Sequence, residues 1–281
     1  MPPSSDPKPV IVCADDFALS EAVSLGIARL AAMGRISATS AMVLSPRWTG
    51  DAALLRDLRG RIDVGLHLDW TSPLAVAAGH GMSLGRAMLR SLAGGFERAR
   101  VTAAIERQLD AFEAQWQAAP DHVDGHQHVQ QFRGIREPLL DVLDRRYGTG
   151  AGPWVRVSQP VGAGTGVKGR VVAAMGARAL AAALSQRGRA ASPALVGMYG
   201  FDGSSAGYAA RLAGWLRDAP AGAVLMCHPA ARADDADEIG AARLREFECW
   251  RGEAASAALA AAHAVPARGP ARQPVPGPGA R

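Results

Sequence analysis

Short apolar runs alternate with longer stretches of helical spacing along most of this chain, and that alternation predicts its elements. Residues 10–14 form the first apolar run. From Ser20, a good N-cap residue, Val23, Ile27, Leu30 and Ala31 recur at helical intervals until Gly34. Residues 38–44 read as a second strand, broken by Pro46, and Leu54, Leu55 and Leu58 mark a helical piece after it. Residues 63–68 are the third strand. Residues 101–116 form an amphipathic helix with Ile105, Leu109, Phe112 and Trp116 on one side. Pro120 introduces a fourth strand, 122–128. Helices over 135–146, 171–186 and 208–216 then alternate with short strands at 154–157 and 195–199. Residues 223–228 are the last strand, before a helix running to Trp250.

About seven strands separated by helices predict an α/β fold with a mostly parallel sheet. An open doubly wound sheet and a barrel both satisfy the pattern. Chemically loaded residues sit at the C-terminal ends of strands far apart in order, which favours a (β/α) barrel, because closure brings all such ends to one mouth. Residues 9–262 read as a single domain, preceded by a polar, proline-rich flexible arm at 1–8. Residues 71–95 are glycine- and alanine-rich and long for a βα connection, so they are a candidate insertion or lid. Residues 162–169 are a glycine-rich loop that matches no phosphate or dinucleotide fingerprint. From 263 to 281 the chain is rich in Pro, Gly and Arg and is expected to be a disordered tail.

Composition adds limits. Apolar residues make up 48% and charged residues 20%, as in a globular protein. The excess of 31 basic over 26 acidic residues includes Arg268, Arg272 and Arg281, and no basic run is interleaved with aromatics. Nucleic acid is therefore not an expected partner. Cys13, Cys227 and Cys249 have no metal or redox spacing and suggest a reducing compartment. The N-terminus lacks the basic start and apolar core of a signal peptide, and no apolar run is long enough to span a bilayer. A soluble cytoplasmic protein is expected, with peripheral membrane contact left open.

The first strand ends in two adjacent carboxylates, Asp15 and Asp16, which would repel each other unless a divalent metal or basic partner intervened. Asp16, His67 and His126, at three different strand ends, make a mixed N/O ligand set with positions left for water and substrate. That set suits zinc and similar metals, whereas magnesium usually takes more oxygen. In an extended fourth strand Asp124, His126 and His128 share one face, with His122 deeper on the same side. Asp124 and His128 are then groups touching the ligands or the substrate. Asp15 is the natural general base, Arg156 its candidate orienting partner, and His228 a candidate general acid. Cys227 reads as packing, and His80 and His263 as exposed bystanders.

These residues bring a family into view. Val12-x-Ala14-Asp15-Asp16-Phe17-x-Leu19-Ser20, Gly65-x-His67, His122-x-Asp124-Gly125-His126-Gln127-His128 and His228-Pro229 resemble the YdjC-like carbohydrate deacetylases. That family includes chito-oligosaccharide deacetylases and hopanoid-biosynthesis-associated HpnK proteins. The resemblance implies a distorted TIM-like barrel and one divalent ion, magnesium or zinc. It implies Asp16, His67 and His126 as ligands, Asp15 as catalytic base and His228 as an active-site histidine. It also implies removal of an N-acetyl group from an amino sugar, oligosaccharide or sugar-lipid conjugate, and it leaves a homodimer open. Ala18 stands where relatives often carry glycine, a change expected to be harmless. His128-Val129-Gln130 lacks an outer imidazole, and His228-Pro229-Ala230 replaces a family glycine. The alternatives are an ester or phosphate hydrolase on the same barrel and a non-catalytic sugar-binding protein.

Overall fold

Among the described residues the eight strands are β1 (Lys8–Phe17), β2 (Ala38–Ala41), β3 (Asp63–Leu68), β4 (His122–Gly125), β5 (Trp154–Val155), β6 (Leu195–Val196), β7 (Val224–Cys227) and β8 (Ala264–Pro266). They come from a computed structural model that describes residues 6–162 and 166–270. Seven of them follow the order β5-β4-β3-β2-β1-β7-β6, and every pairing is parallel. β8 pairs with the first residues of β1.

Alternation along β1 shows why this sheet curls. Val10, Val12 and Ala14 belong to the main core, with the helices. Ile11 and Cys13 belong to a separate buried cluster with Ala38 of β2, Trp154 of β5, Leu195 of β6 and Met226 of β7. Side chains from strands that far apart in sheet order meet only when the sheet wraps around them. Among the described residues no strand ladder joins β5 to β6. Irregular backbone spans the gap instead, through isolated bridges Val155–Ala191 and Pro160–Leu195. The result is a curled, open parallel sheet, a distorted (β/α) barrel.

Ser20 caps the helix Glu21–Ala32 as expected, accepting a hydrogen bond from the Val23 amide. Other boundaries differ. The single helix expected over 171–186 is two, Val167–Ala174 and Ala177–Gln186, because Gly176 has φ 129° and a Cβ there would lie 2.2 Å from the Gln131 carbonyl oxygen. Residues 71–95 contain two short helices, Pro73–Ala77 and Leu84–Ala93. The tail expected from residue 263 instead begins with β8, and Arg268 pairs with Asp63 at 2.6 Å. Residues 1–5 of the arm, 163–165 of the glycine-rich loop and 271–281 of the tail lie outside the described residues.

Candidate active site

β1 carries the two acids on an irregularity. Cys13 and Ala14 pair with Ala38 and Thr39, but the next partners are Phe17 and Ala41. Three residue steps on β1 therefore match two on β2, which is a bulge. In a regular strand Asp15 and Asp16 would face opposite sides of the sheet. Here Asp16 adopts φ 71°, and both carboxylates turn toward the same cluster of groups. Ala18 also sits at φ 71°. Alanine there is not harmless as expected, since a Cβ in the left-handed region costs about 1–2 kcal/mol.

Asp16, His67 and His126 converge. Asp16 Oδ1 lies 3.4 Å from His67 Nε2 and 3.2 Å from His126 Nδ1. Ligand atoms bound at about 2.0–2.2 Å to a single ion lie roughly 3.0–3.5 Å apart, so this donor set fits one divalent cation. Asp124 Oδ1 lies 2.6 Å from the other nitrogen of His67, Nδ1, and so aims Nε2 at Asp16. The second oxygen of Asp16 accepts from Arg243 Nη2 at 2.8 Å, and Arg243 Nε donates to Asp237 at 2.6 Å. Burial opposes the charge on Asp16, but Arg243 and the two histidines outweigh it and hold the carboxyl well below its usual range.

Arg156, fully buried after β5, donates to both oxygens of Asp15, at 2.8 and 2.9 Å, and lies 3.1 Å from Asp124. Burial also opposes the charge on Asp124, and Arg156 and His67 overcome it, keeping that carboxyl well below its usual range. Two other groupings of potential ligands share this region. Cys13, His122 and Asp124 surround the Ser40 hydroxyl, which lies 3.4, 3.0 and 2.5 Å from their polar atoms and fills the space an ion would need. In the grouping of Asp15, His67 and Asp124, both carboxylates already have Arg156 as their counter-charge. His122 is deep, as expected, and its ring stacks on Trp154 at 4.6 Å.

The shared face expected for 122–128 ends at Gly125. There β4 gives way to a tight turn, His126–Gln131, with Gln127 and His128 at φ 53° and 65°. The turn sends His126 to Asp16, while His128 Nδ1 lies 2.9 Å from the Ser158 hydroxyl. His128 is buried and held well below its ordinary pKa by that burial and by Arg156 and His67. Gln130, where the outer imidazole is missing, donates to the Arg156 carbonyl and the Ser158 hydroxyl, tying the turn to the segment after β5.

His228 follows β7. Its amide donates to Glu246 Oε2 at 2.6 Å, and Phe201 meets its ring edge-on at 5.1 Å. Burial pushes the imidazole down to about 4, against the pull of Asp16 and Asp15, so it is neutral at pH 7. Glu246, which also accepts from the Tyr199 hydroxyl at 2.6 Å, is raised by burial to about 7. Sequence reading missed Arg243, Glu246 and Ser40. Arg243 and Glu246 sit among the core-facing positions of the helix Gly240–Arg251, beside Phe247 and Trp250. Charged residues at apolar-stripe positions were the available signal. Asp237, in the acidic turn before that helix, holds Arg243. His80 is half-buried against Trp70, with Nε2 3.1 Å from the Asp69 carbonyl oxygen, rather than an exposed bystander.

Comparison with known proteins agrees with this architecture. The chain is 32% identical over 148 residues to a chitooligosaccharide deacetylase of Serratia marcescens, covering 50% of this chain and 57% of that protein. It is 29% identical over 146 residues to a human carbohydrate deacetylase, covering 48% and 45%. The chain thus spans about half the length of the curated relatives it matches. A solved protein from Enterococcus faecalis V583, named for cellobiose-phosphate cleavage, superposes with a TM-score of 0.69 at 19% identity, over 94% of this chain and 98% of that one. That likeness concerns the fold alone. The family model described as YdjC-like protein matches residues 9–261, and the chain belongs to that family.

Proposed function

We propose that this protein is a metal-dependent hydrolase that removes an N-acetyl group from an amino sugar, an oligosaccharide or a sugar-lipid conjugate. The observation that carries the reading is the convergence of Asp16, His67 and His126 beside Asp15, a carboxylate held on both oxygens by buried Arg156. A divalent ion in that cluster would supply a Lewis acid for the acyl carbonyl oxygen. Asp15 takes the proton from the attacking water, and Arg156 fixes its orientation for that transfer. His228, neutral at pH 7 and partly open to solvent, passes to the departing amine the proton that Asp15 has taken from the water. Asp124 keeps His67 in the tautomer and orientation of a ligand.

Phosphate hydrolysis has less support. Arg156 and Arg243 are already committed to Asp15, Asp124 and Asp16, which leaves neither guanidinium free for a phosphoryl group. Among the described residues no helix is long and apolar enough to cross a membrane. The three cysteines are buried and free, which supports a reducing compartment such as the cytoplasm.

Acetate release from a panel of N-acetylated sugars and glycolipids, with chelated and metal-restored protein, tests the reading. Asp15→Asn should keep ion affinity and lose turnover by several orders of magnitude, whereas Asp16→Asn should lose the ion itself in calorimetry. Full turnover by chelated protein, or ion loss in the Asp15 variant with retention in the Asp16 variant, would overturn it.

A further inference from the structure

Eight large apolar side chains stand exposed among the described residues, and five of them lie in two connections at one end of the barrel. Val76, Leu89 and Leu92 follow β3, and Val167 and Val171 follow β5, so both groups leave the C-terminal strand ends where Asp16, His67 and His126 meet. The turn His126–Gln131 after β4 lies between these connections, and the Gln131 side chain donates to the Val172 carbonyl at 2.6 Å. Leu89 and Leu92 are the most prominent, 66% and 69% exposed on the helix Leu84–Ala93. Arg86 and Arg90 lie on the same helix and form no ion pair among the described residues.

The charge pattern selects a partner. Residues 70–96 contain no Asp or Glu, and neither do residues 145–201. Two protruding leucines one helical turn apart, flanked by arginines without acids, match a surface that is negative at its headgroups and apolar just beneath. We propose that this rim of the barrel docks on a bilayer containing anionic lipid, with the mouth of the site turned toward it. A second copy of the chain fits less well, since a symmetric contact would set Arg86 and Arg90 against their own counterparts with no acid to answer them. The docking is independent of which bond the site hydrolyses.

Co-sedimentation with phosphatidylcholine vesicles, with and without phosphatidylglycerol, tests this directly. Binding is expected only to the vesicles containing phosphatidylglycerol, and added salt should release it. Leu89→Ser with Leu92→Ser should abolish it. Arg86→Gln with Arg90→Gln should weaken it by about 25-fold, at about fivefold for each arginine. Both double variants should keep the parent thermal midpoint, because these side chains lie outside the core. No binding to phosphatidylglycerol vesicles, or equal binding by both double variants and the parent, would overturn the proposal. So would a concentration-dependent dimer that disappears in the leucine variant, which would assign the face to self-association.

Discussion

Replacing Arg156 by methionine is the most demanding test of how the site is built. The guanidinium is fully buried and makes two hydrogen bonds to Asp15, with Asp124 3.1 Å away. Methionine fills a similar volume but leaves two buried carboxylates without their shared cation. Removing one partner of a buried pair costs about 3–5 kcal/mol, because the remaining charge is stranded. For a chain of this size that corresponds to a fall in Tm of roughly 6–20 °C. The defect should depend on pH with a defined sign. Asp124 is held well below its usual range by Arg156 and His67, so its contribution is present above the unfolded carboxylate pKa and lost as pH falls. Parent and variant should therefore differ most near neutrality and converge in thermal unfolding only as pH falls below the ordinary carboxylate range. Adding Asp15→Asn should restore part of the loss, since it removes one stranded charge. Turnover should stay low in both variants, because Asp15 has lost either its anchor or its basicity. A variant within about 2 °C of the parent at pH 7, or one whose defect grows on acidification, would refute the reasoning.

Other expectations follow from particular contacts. Ala18→Gly should raise stability by about 0.5–1 kcal/mol in denaturant unfolding, as the relief of left-handed strain exceeds the added chain entropy; no gain would mean the strain is absent. Gly65→Ala should destabilise strongly or fail to fold, because its Cβ would lie 2.4 Å from the His122 ring, which is itself stacked on Trp154; parent-like denaturant unfolding would show that the ring moves aside. In metal-free protein, burial pulls the His67 imidazole down, but Asp124 and Asp15 outweigh it and raise it to about 10. Being above the unfolded value of about 6.5, that shift gives stability fully present below about pH 6.5 and lost as pH rises through about 10. Unfolding in chelator should show this decline in the parent and not in His67→Gln, and equal slopes would contradict it.

Seven of the strands, their parallel sense and the convergence of three strand ends were legible because each leaves a local mark, an apolar run closed by a polar residue. Features that depend on contacts distant in sequence were not. Nothing before Asp15 announces a bulge, since the extra residue is defined only against β2. The parity argument over 122–128 failed because Gln127 and His128 leave the extended region in a way their residue types do not require. Arg243 and Glu246 lie far along the chain from every motif residue except His228, and their roles exist only once the helix Gly240–Arg251 packs beside the end of β7. Gly65 carried little weight as part of a two-residue motif, yet its lack of a side chain makes room for the His122 ring.

In the proposed mechanism the two guanidiniums give the adjacent acids different tasks. Asp15 is held by Arg156, which arrives after β5 on one side of β1, and Asp16 by Arg243, from the helix following β7 on the other. Arg156 takes both oxygens of Asp15, so that carboxylate is a poor first choice as an ion ligand and a well-oriented acceptor for a proton. Arg243 takes one oxygen of Asp16 and leaves the other facing His67 and His126. The bulge is what makes this division available, since a regular strand would turn one of the two acids toward the helices, away from the cluster. Local backbone strain at Asp16 and Ala18 is thus tied to the proposed separation of base from ligand, and relief of strain at Asp16 by restoring regular pairing would come at the expense of the site.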